Sequence, residues 1–213
     1  MPRELNEVHT LVMNVTPLLD KAKYDRLYDK MPDFRKAKAD RLHFAEDRPR
    51  SVGAWYLRML AKERYGQIEE AACNLSHSGE YALCSVGPAG AKVGCDVERM
   101  KTFREAVARR FFDGEEYRHL MKQEEMLRTD WFYRYWVLKE SFIKATRRGL
   151  AMKLDSFRFA FDEEGRPYLT WQPKEVAESY FFKEYEIEGA RIAVCSTCER
   201  FAGSLEICEL PWA

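Results

Sequence analysis

The segment KVGCDVE, residues 92–98, decides the fold. Apolar residues alternate in it with small or acidic ones, which predicts a β-strand whose two faces differ. One face carries apolar side chains, from Val93 to Val97, and the opposite face presents Asp96 and Glu98. A turn with the sequence GPAG precedes the strand. The segment therefore predicts a strand with one apolar and one acidic face.

Outward from this strand, both halves of the chain combine strands with helices. Short apolar runs bounded by turn residues predict strands at residues 7–15, 71–75, 81–86, 156–162, 166–171 and 191–197. Apolar residues at helical spacing predict helices at residues 20–41, 51–65, 103–112, 115–126 and 130–148. We therefore predict an α+β protein of two lobes, each with a small antiparallel sheet, that meet near residues 92–102. No sequence repeat relates the two halves.

Composition limits the classes of protein that fit. Of the 213 residues, 46% are apolar, which is enough to bury a core. Lysine plus arginine equals aspartate plus glutamate, and this balance argues against a protein that wraps nucleic acid. We expect no membrane span and no signal peptide, and hence a cytoplasmic protein. Its cysteines, including the C-x-x-C pair Cys195 and Cys198, are expected to be reduced thiols that pack as small apolar residues.

Asp96 and Glu98 are the first candidate site residues. Alternate residues on one face of a strand lie roughly 6–7 Å apart. Two carboxylates at that spacing can share a hard divalent cation such as Mg²⁺, which prefers oxygen ligands. The same pattern also occurs on solvated strand faces, so spacing alone leaves both interpretations open.

A second candidate lies in the segment WVLKESFIK, residues 136–144. At helical spacing Trp136, Glu140 and Lys144 share one face. A carboxylate and an ammonium one turn apart can act as metal ligand or base, and as phosphate clamp or proton donor. A glutamate four residues before a lysine is also the favoured order for an ordinary surface pair, worth ~0.2–0.5 kcal/mol.

The segment NLSHSG, residues 74–79, is a third candidate. We predict that SHSG forms a tight loop after a strand, where hydroxyls, backbone N–H groups and an imidazole suit a phosphate. A nucleophilic Ser–His pair is disfavoured, because adjacent residues rarely reach the required geometry and no G-x-S-x-G elbow surrounds them. An ordinary capped turn is the remaining interpretation.

Taken in order, these motifs resemble the Sfp-type 4′-phosphopantetheinyl transferases. The resemblance covers roughly residues 35–160. It rests on NLSHSG, GCDVE, RFF-x-x-x-EY at residues 110–117 and FY-x-x-W-x-x-KESF-x-K at residues 132–144. KESFIK is the most specific of these motifs. The resemblance implies a pseudodimer of two similar α+β lobes, here residues 1–93 and 94–213, with coenzyme A bound in the cleft between them.

The resemblance also implies roles for individual residues. Asp96 and Glu98 correspond to metal ligands, and Glu140 corresponds to a third carboxylate that serves as ligand or general base. Lys144 corresponds to a catalytic lysine near the α-phosphate. The residues that correspond to coenzyme A contacts are Arg50, Ser76 and His77 for the 3′-phosphate and Lys139 for the pyrophosphate.

The implied reaction moves 4′-phosphopantetheine from coenzyme A to a serine of an acyl, peptidyl or polyketide carrier protein. It releases adenosine 3′,5′-bisphosphate and needs Mg²⁺, or Mn²⁺ in its place. We expect a monomer whose partners include neither nucleic acid nor membrane. Carrier proteins are generally acidic around the modified serine, so we expect a basic and apolar docking face within residues 100–131, with Arg147 and Arg148 nearby.

One departure from the family pattern leaves a second interpretation open. Family members usually carry a G-K-P-type segment before N-x-S-H-S-G that contacts the nucleotide, whereas YGQIEE at residues 65–70 runs almost directly into that motif here. A non-catalytic protein that binds coenzyme A or a carrier would also fit a shortened segment. Lys92 and the basic cluster Arg35, Lys36 and Lys38 are candidates for the adenine side. A metal-dependent nuclease is disfavoured, because the chain has no basic excess and Lys144 lies four residues beyond an acid on a helix.

Overall fold

The computed structural model describes residues 3–212. Its β-strands are β1 (His9–Asn14), β2 (Cys73–Ser78), β3 (Tyr81–Val86), β4 (Val93–Arg99), β5 (Arg158–Phe161), β6 (Pro167–Trp171), β7 (Phe181–Ile187), β8 (Ala190–Ser196) and β9 (Glu206–Ile207). Its α-helices are α1 (Lys21–Tyr28), α2 (Asp33–Asp40), α3 (Asp47–Tyr65), α4 (Glu105–Phe111), α5 (Gly114–Lys122) and α6 (Glu125–Thr146). None of these helices is long and apolar enough to cross a bilayer.

The strands form two sheets and a separate hairpin. The first sheet has the order β2-β3-β1-β9 and the second has the order β4-β8-β7, while β5 pairs with β6. Within the first sheet β3 is antiparallel to both β1 and β2, and β9 runs parallel to β1. Within the second sheet β8 is antiparallel to both β4 and β7.

The two lobes share one topology. In the first lobe, β1 leads through helices that end with the long α3 into the hairpin β2–β3, and the sheet order is β2-β3-β1. In the second lobe, β4 leads through helices that end with the long α6 and, after the β5–β6 hairpin, into β7–β8, with the order β7-β8-β4. The predicted α+β pseudodimer is confirmed. The division at residue 93 stays a prediction, and β9 lies in the first sheet.

Strand alternation sorts the apolar side chains into three cores. In β3, Ala82 and Cys84 join the core beneath α3, whereas Leu83 points the other way into a core between the two sheets. That central core also holds Val97 from β4 and Ile192 from β8. A third core packs the second sheet against α6. The lobes are therefore held together by buried apolar side chains, each fully buried valine or leucine being worth ~1.5–3 kcal/mol.

Four local predictions need correction. The SHSG segment is not a loop from its first residue, because β2 continues through Ser78 and the turn begins at Gly79, where φ is +56°. The predicted helix at residues 20–41 is two helices, since Pro32 removes a backbone donor and disfavours helical geometry before it. Strand β7 was absent from the sequence prediction, and α6 begins at Glu125 rather than residue 130.

Gly94 sets the distance between β4 and α6. A Cβ atom at this position would lie 2.1 Å from the carbonyl oxygen of Ser141 and 2.3 Å from the amide nitrogen of Ala145. Both are backbone atoms of α6, so no side-chain rotation can relieve the overlap. The absence of a side chain at Gly94 therefore lets the helix lie directly on the strand that carries Asp96 and Glu98.

Replacing Gly94 with alanine is expected to push α6 away from β4. We expect Gly94→Ala to lower the free energy of unfolding by about 3 kcal/mol, because the added methyl group overpacks a rigid contact. Gly114→Ala is a matched control, since a Cβ there meets nothing within 4 Å. Urea denaturation followed by far-ultraviolet circular dichroism measures both changes. Equal stability of the two variants would contradict the packing argument.

Candidate active site

The edge strands β2 and β4 lie side by side, and polar side chains join them. Alternate residues of β2 accept hydrogen bonds from the backbone N–H groups of alternate residues of β4. The bonds are Cys95 N to Asn74 Oδ1 at 3.0 Å, Val97 N to Ser76 Oγ at 3.4 Å and Arg99 N to Ser78 Oγ at 3.2 Å. This row of contacts, which we call the seam, places β2 hydroxyls next to the acidic face of β4.

Asp96 and Lys144 form the centre of the site. Lys144 Nζ lies 2.6 Å from Asp96 Oδ1 and also donates to Ser76 Oγ at 3.0 Å and to the Cys95 carbonyl at 3.1 Å. Ser76 Oγ in turn donates to the same Asp96 oxygen at 2.9 Å. Burial by itself would lower the pKa of Lys144, but the neighbouring anionic groups, Asp96 first, raise it above its ordinary value. The ammonium group is therefore firmly charged between the two lobes.

Glu98 and Glu140 flank this pair and interact with the same carboxylate. Glu98 Oε2 accepts a hydrogen bond from Ser78 Oγ at 2.7 Å. Burial raises the pKa of Glu98, and the negative charge of Asp96 raises it further. Burial and then the charge of Asp96 likewise raise the pKa of Glu140. The three acids predicted from two distant segments are thus brought into one electrostatic neighbourhood.

Two cavities open beside the site. The first, about 450 Å³, is lined by Glu98, Lys101 and Arg104 over an aromatic floor that includes Trp136. The second, about 610 Å³, is lined by residues that include Arg110, Phe111, Glu140, Lys144 and Lys153. The rings of Phe111 and Trp136 touch edge to face, with centroids 5.9 Å apart. Glu98 and Glu140 therefore open on neighbouring cavities, with this aromatic pair at their border.

The carboxylates have features that suit a divalent cation. Asp96 Oδ2 is buried and finds no hydrogen-bond partner within residues 3–212. An unpaired carboxylate oxygen beside two further acids is a site whose charge a cation would balance. Across the described part of the chain, however, no three histidine, cysteine, aspartate or glutamate side chains already enclose a metal position. The acids thus lie near one another, with one carboxylate oxygen free to bind a cation, but among the residues described they do not form a complete coordination site.

Arg50 and His77 lie at the far end of β2. Arg50 Nε donates to the carbonyl of Gly79 at 2.7 Å, and its Nη1 pairs with Asp47 at 2.7 Å. Desolvation lowers the pKa of His77, and the charge of Lys144 lowers it further. His77 therefore stands next to the site at a position where positive charge is concentrated.

Ser76 and Lys139 lie where the sequence analysis did not expect them. Ser76 is buried in the seam, and its hydroxyl already serves Asp96, Lys144 and the backbone. Lys139 is fully buried inside the second lobe, where its ammonium group pairs with Glu116 at 2.8 Å. It also donates to the carbonyls of Leu154 and Phe157. The structure does not bring the Lys139 ammonium group to the cleft, because three core acceptors use all its protons.

Sequence reasoning missed two of the three β2 residues that form the seam. Asn74 and Ser78 bind β4 directly, and Ser78 also holds Glu98. The alternation of small polar residues in N-x-S-x-S was the available signal, since residues two apart in a strand share a face. Interpreting this segment as a loop concealed that alternation.

The fold and the site define an enzyme with a charged ammonium and acidic carboxylates in a cleft between two related lobes. The family model for the 4′-phosphopantetheinyl transferase superfamily matches residues 92–195. The 4′-phosphopantetheinyl transferase ffp of Bacillus subtilis is 30% identical over 199 residues, covering 84% of this chain and 87% of the relative. The psf-1 enzyme of Bacillus pumilus is 30% identical over 194 residues, covering 81% and 82%. Sfp of Bacillus subtilis strain 168 is 34% identical over 146 residues, covering 64% and 62%.

Among solved structures, the holo-[acyl-carrier-protein] synthase of Thermotoga maritima aligns with a TM-score of 0.44 and 22% identity, covering 49% of this chain and 61% of that one. The chain belongs to the 4′-phosphopantetheinyl transferase superfamily, as its relatives over most of its length show. It is an enzyme of that class, and the resemblance found from its motifs is confirmed.

The buried Lys139–Glu116 pair offers a test of its structural role. Burial lowers the pKa of Lys139 and raises that of Glu116, so the charges persist there because each compensates the other. We expect Lys139→Met to lower the free energy of unfolding by about 3 kcal/mol, since it leaves a buried carboxylate unpaired. Adding Glu116→Gln should recover part of that loss. Guanidinium unfolding measures both variants.

The same variants separate a core role from a ligand role for Lys139. If Lys139 is a core residue, folded Lys139→Met retains its affinity for coenzyme A in calorimetry below its unfolding temperature. A tenfold loss of affinity with unchanged stability would show that the side chain reaches the ligand instead.

Proposed function

We propose that this enzyme transfers the 4′-phosphopantetheine group of coenzyme A to a serine of a carrier protein and releases adenosine 3′,5′-bisphosphate. The observation that carries the proposal is the Lys144 ammonium at 2.6 Å from Asp96, with Glu98 and Glu140 alongside, in the cleft between lobes. Such a layout suits attack at a diphosphate, where positioning and charge balance matter more than covalent chemistry.

The proposed reaction forms one bond and breaks one. The serine oxygen bonds to the phosphorus that bears the pantetheine, and the bond from that phosphorus to the bridging oxygen breaks. The electron pair leaves with adenosine 3′,5′-bisphosphate. Glu140 is placed to take the serine proton, directly or through water. General base help of this kind is worth ~10²–10⁴-fold in rate.

Lys144 supplies the positive charge on the other side of the reaction. Its pKa is raised, so it stays charged and can stabilise the phosphate oxygens that gain charge as the bond breaks. Because Asp96 and Ser76 hold its ammonium group, this charge is in place before the substrate arrives. Because the ammonium group is already in position, the protein does not have to rearrange around the developing charge during the reaction.

We propose that Asp96, Glu98 and Glu140 hold Mg²⁺, which Mn²⁺ could replace. The support is the Oδ2 of Asp96, which has no hydrogen-bond partner among the described residues, and the raised pKa of the two glutamates around it. The bound ion would neutralise the diphosphate charge beside these acids.

We propose that a group of cations on α2, α3 and β2 receives the nucleotide phosphates of coenzyme A. Arg35 Nε is buried without a hydrogen-bond partner within residues 3–212, and its guanidinium stacks on Trp55. Desolvation, and then the charge of Arg35, lower the pKa of Lys38. Together with Arg50 and His77, these groups form an excess of positive charge that an anion would relieve. They compensate for the shortened segment before β2.

The carrier protein would dock on the second lobe. Met126 and Leu127 are exposed at the start of α6, by 81% and 44%, and Arg104 and Arg110 line the two cavities of the same lobe. An apolar patch with basic neighbours complements an acidic carrier surface. Arg147, expected near this face, binds backbone carbonyls with its guanidinium group.

Neutralising Asp96 is expected to stop transfer without unfolding the protein. We expect Asp96→Asn and Lys144→Ala each to lower the transfer rate at least about a hundredfold, because each removes half of the central pair. Intact-mass spectrometry of a panel of carrier domains, incubated with coenzyme A and Mg²⁺, measures the added phosphopantetheine. Glu164→Gln, in the exposed turn before β6, is the matched charge control and should retain full activity.

Two outcomes would count against the proposal. Near-normal transfer by Asp96→Asn would remove this carboxylate from the chemistry. Coenzyme A binding by the unmodified protein without transfer to any carrier would favour the non-catalytic alternative.

A further inference from the structure

The end of α6 carries a group of hydrogen bonds that the proposed chemistry does not use. Arg147 follows the last helical residue, and its Nη2 lies 2.9 Å from the carbonyl oxygens of Glu70, Ala71 and Cys73. A fourth carbonyl oxygen, that of Val93, lies at 3.4 Å. The two protons of Arg147 Nη2 are therefore shared among four backbone carbonyl oxygens.

These acceptors come from the place where the two lobes join. Glu70 and Ala71 lie just before β2, Cys73 is its first residue, and Val93 is the first residue of β4. The amide of Val93 also donates to the Ala71 carbonyl at 2.9 Å. Arg147 thus ties the end of α6 to the first residues of both strands of the seam.

The backbone of Arg147 is held in an unfavourable conformation. Its φ is +59°, and it is the non-glycine residue with positive φ in the described range 3–212. A residue with a Cβ occupies this left-handed region only where its surroundings fix it. Arg147 is the C-cap residue of α6, where a left-handed conformation is common, and its side-chain contacts help to offset the cost of a Cβ there.

We call these guanidinium contacts of Arg147 the tie. The tie lies close to the reacting groups of α6, β2 and β4. Lys144 precedes Arg147 by three residues on α6, Ser76 follows Cys73 by three on β2, and Asp96 follows Val93 by three on β4. Lys144 Nζ contacts both Ser76 and Asp96. A shift of α6 at Arg147 would therefore be felt directly in these contacts.

We propose that Arg147 is a positioning residue that fixes the Lys144 ammonium group against Asp96 and Ser76. This proposal rests on the proposed function for its kinetic consequence. Gly94 sets how closely α6 approaches β4, and Arg147 sets where along the strand the helix stops. Misplacement of a reacting group by about 1 Å can cost a hundredfold in rate, so such a tie matters for turnover.

The variant Arg147→Gly distinguishes the role of the Arg147 side chain from that of its backbone conformation. Glycine adopts the left-handed conformation readily, so this variant keeps the helix end and removes only the guanidinium contacts. We expect kcat to fall about tenfold or more, while KM for coenzyme A and for the carrier stays within about twofold. Arg147→Lys keeps the charge without the planar fork and should restore only part of kcat.

Arg166→Ala is the control, since it removes an exposed arginine from the turn before β6. It should leave kcat unchanged. An unchanged kcat in Arg147→Gly would overturn the proposal. The proposal would also be overturned if Arg147→Gly raised the KM for the carrier at constant kcat and Arg147→Lys restored that KM fully. That result would show that Arg147 acts as a positive charge in carrier binding.

Hydrogen–deuterium exchange tests the tie without relying on activity. In Arg147→Gly, the amides of residues 73–78 and 93–99 should exchange faster than in the unmodified protein, and Arg166→Ala should match the unmodified protein. Unchanged exchange in both strands would overturn the proposal even if kcat fell. If the unmodified protein transfers nothing, the proposed function fails, and exchange alone then decides whether Arg147 ties the strands.

Discussion

The site depends on the direct contact between the backbones of α6 and β4 at Gly94. Any side chain there would overlap the backbone of Ser141 and Ala145, so only glycine lets the helix lie on the strand. That contact brings Lys144 to 2.6 Å from Asp96, although the two residues are far apart in sequence. The charge state of each group in the cleft then follows from this proximity. Desolvation raises the pKa of Glu98 and Glu140 and by itself would lower that of Lys144, whereas the negative charge of Asp96 raises the pKa of all three.

At the interface between the lobes, one face of β4 packs into the apolar core and the other face carries the candidate site. On one face of β4, apolar side chains such as Val97 pack against Leu83 and Ile192 in a dry core between the sheets. On the other face, and along the edge toward β2, polar groups form the seam and the site. Buried polar groups are costly unless they are satisfied. Within residues 3–212, the buried seam oxygen that lacks a hydrogen-bond partner is Asp96 Oδ2, which belongs to the acid at the centre of the site.

Local patterns were enough to predict the strand at residues 92–98 and the shared helical face of Glu140 and Lys144, because each depends only on periodicity. Tertiary partners decided the rest. Ser76 has turn-like neighbours in sequence, yet pairing with β3 keeps it in a strand. Lys139 is adjacent to Glu140, but the helical rotation between neighbouring residues directs its side chain into the core, where it pairs with Glu116. A single sequence does not reveal that partner. The repeated topology was predictable only through the family resemblance, because fold symmetry can persist without repeated residues.

The central claim is that Asp96 and Lys144 act as one unit across the contact between strand and helix. A double-mutant cycle tests it most directly, by measuring the rate of phosphopantetheine transfer for Asp96→Asn, Lys144→Met and the combined variant. If the two groups form one unit, the combined variant will be no slower than the slower single variant, because either change already disables the pair. If the two rate losses multiply instead, the groups act independently, and the account of a shared site built on the α6–β4 contact is contradicted.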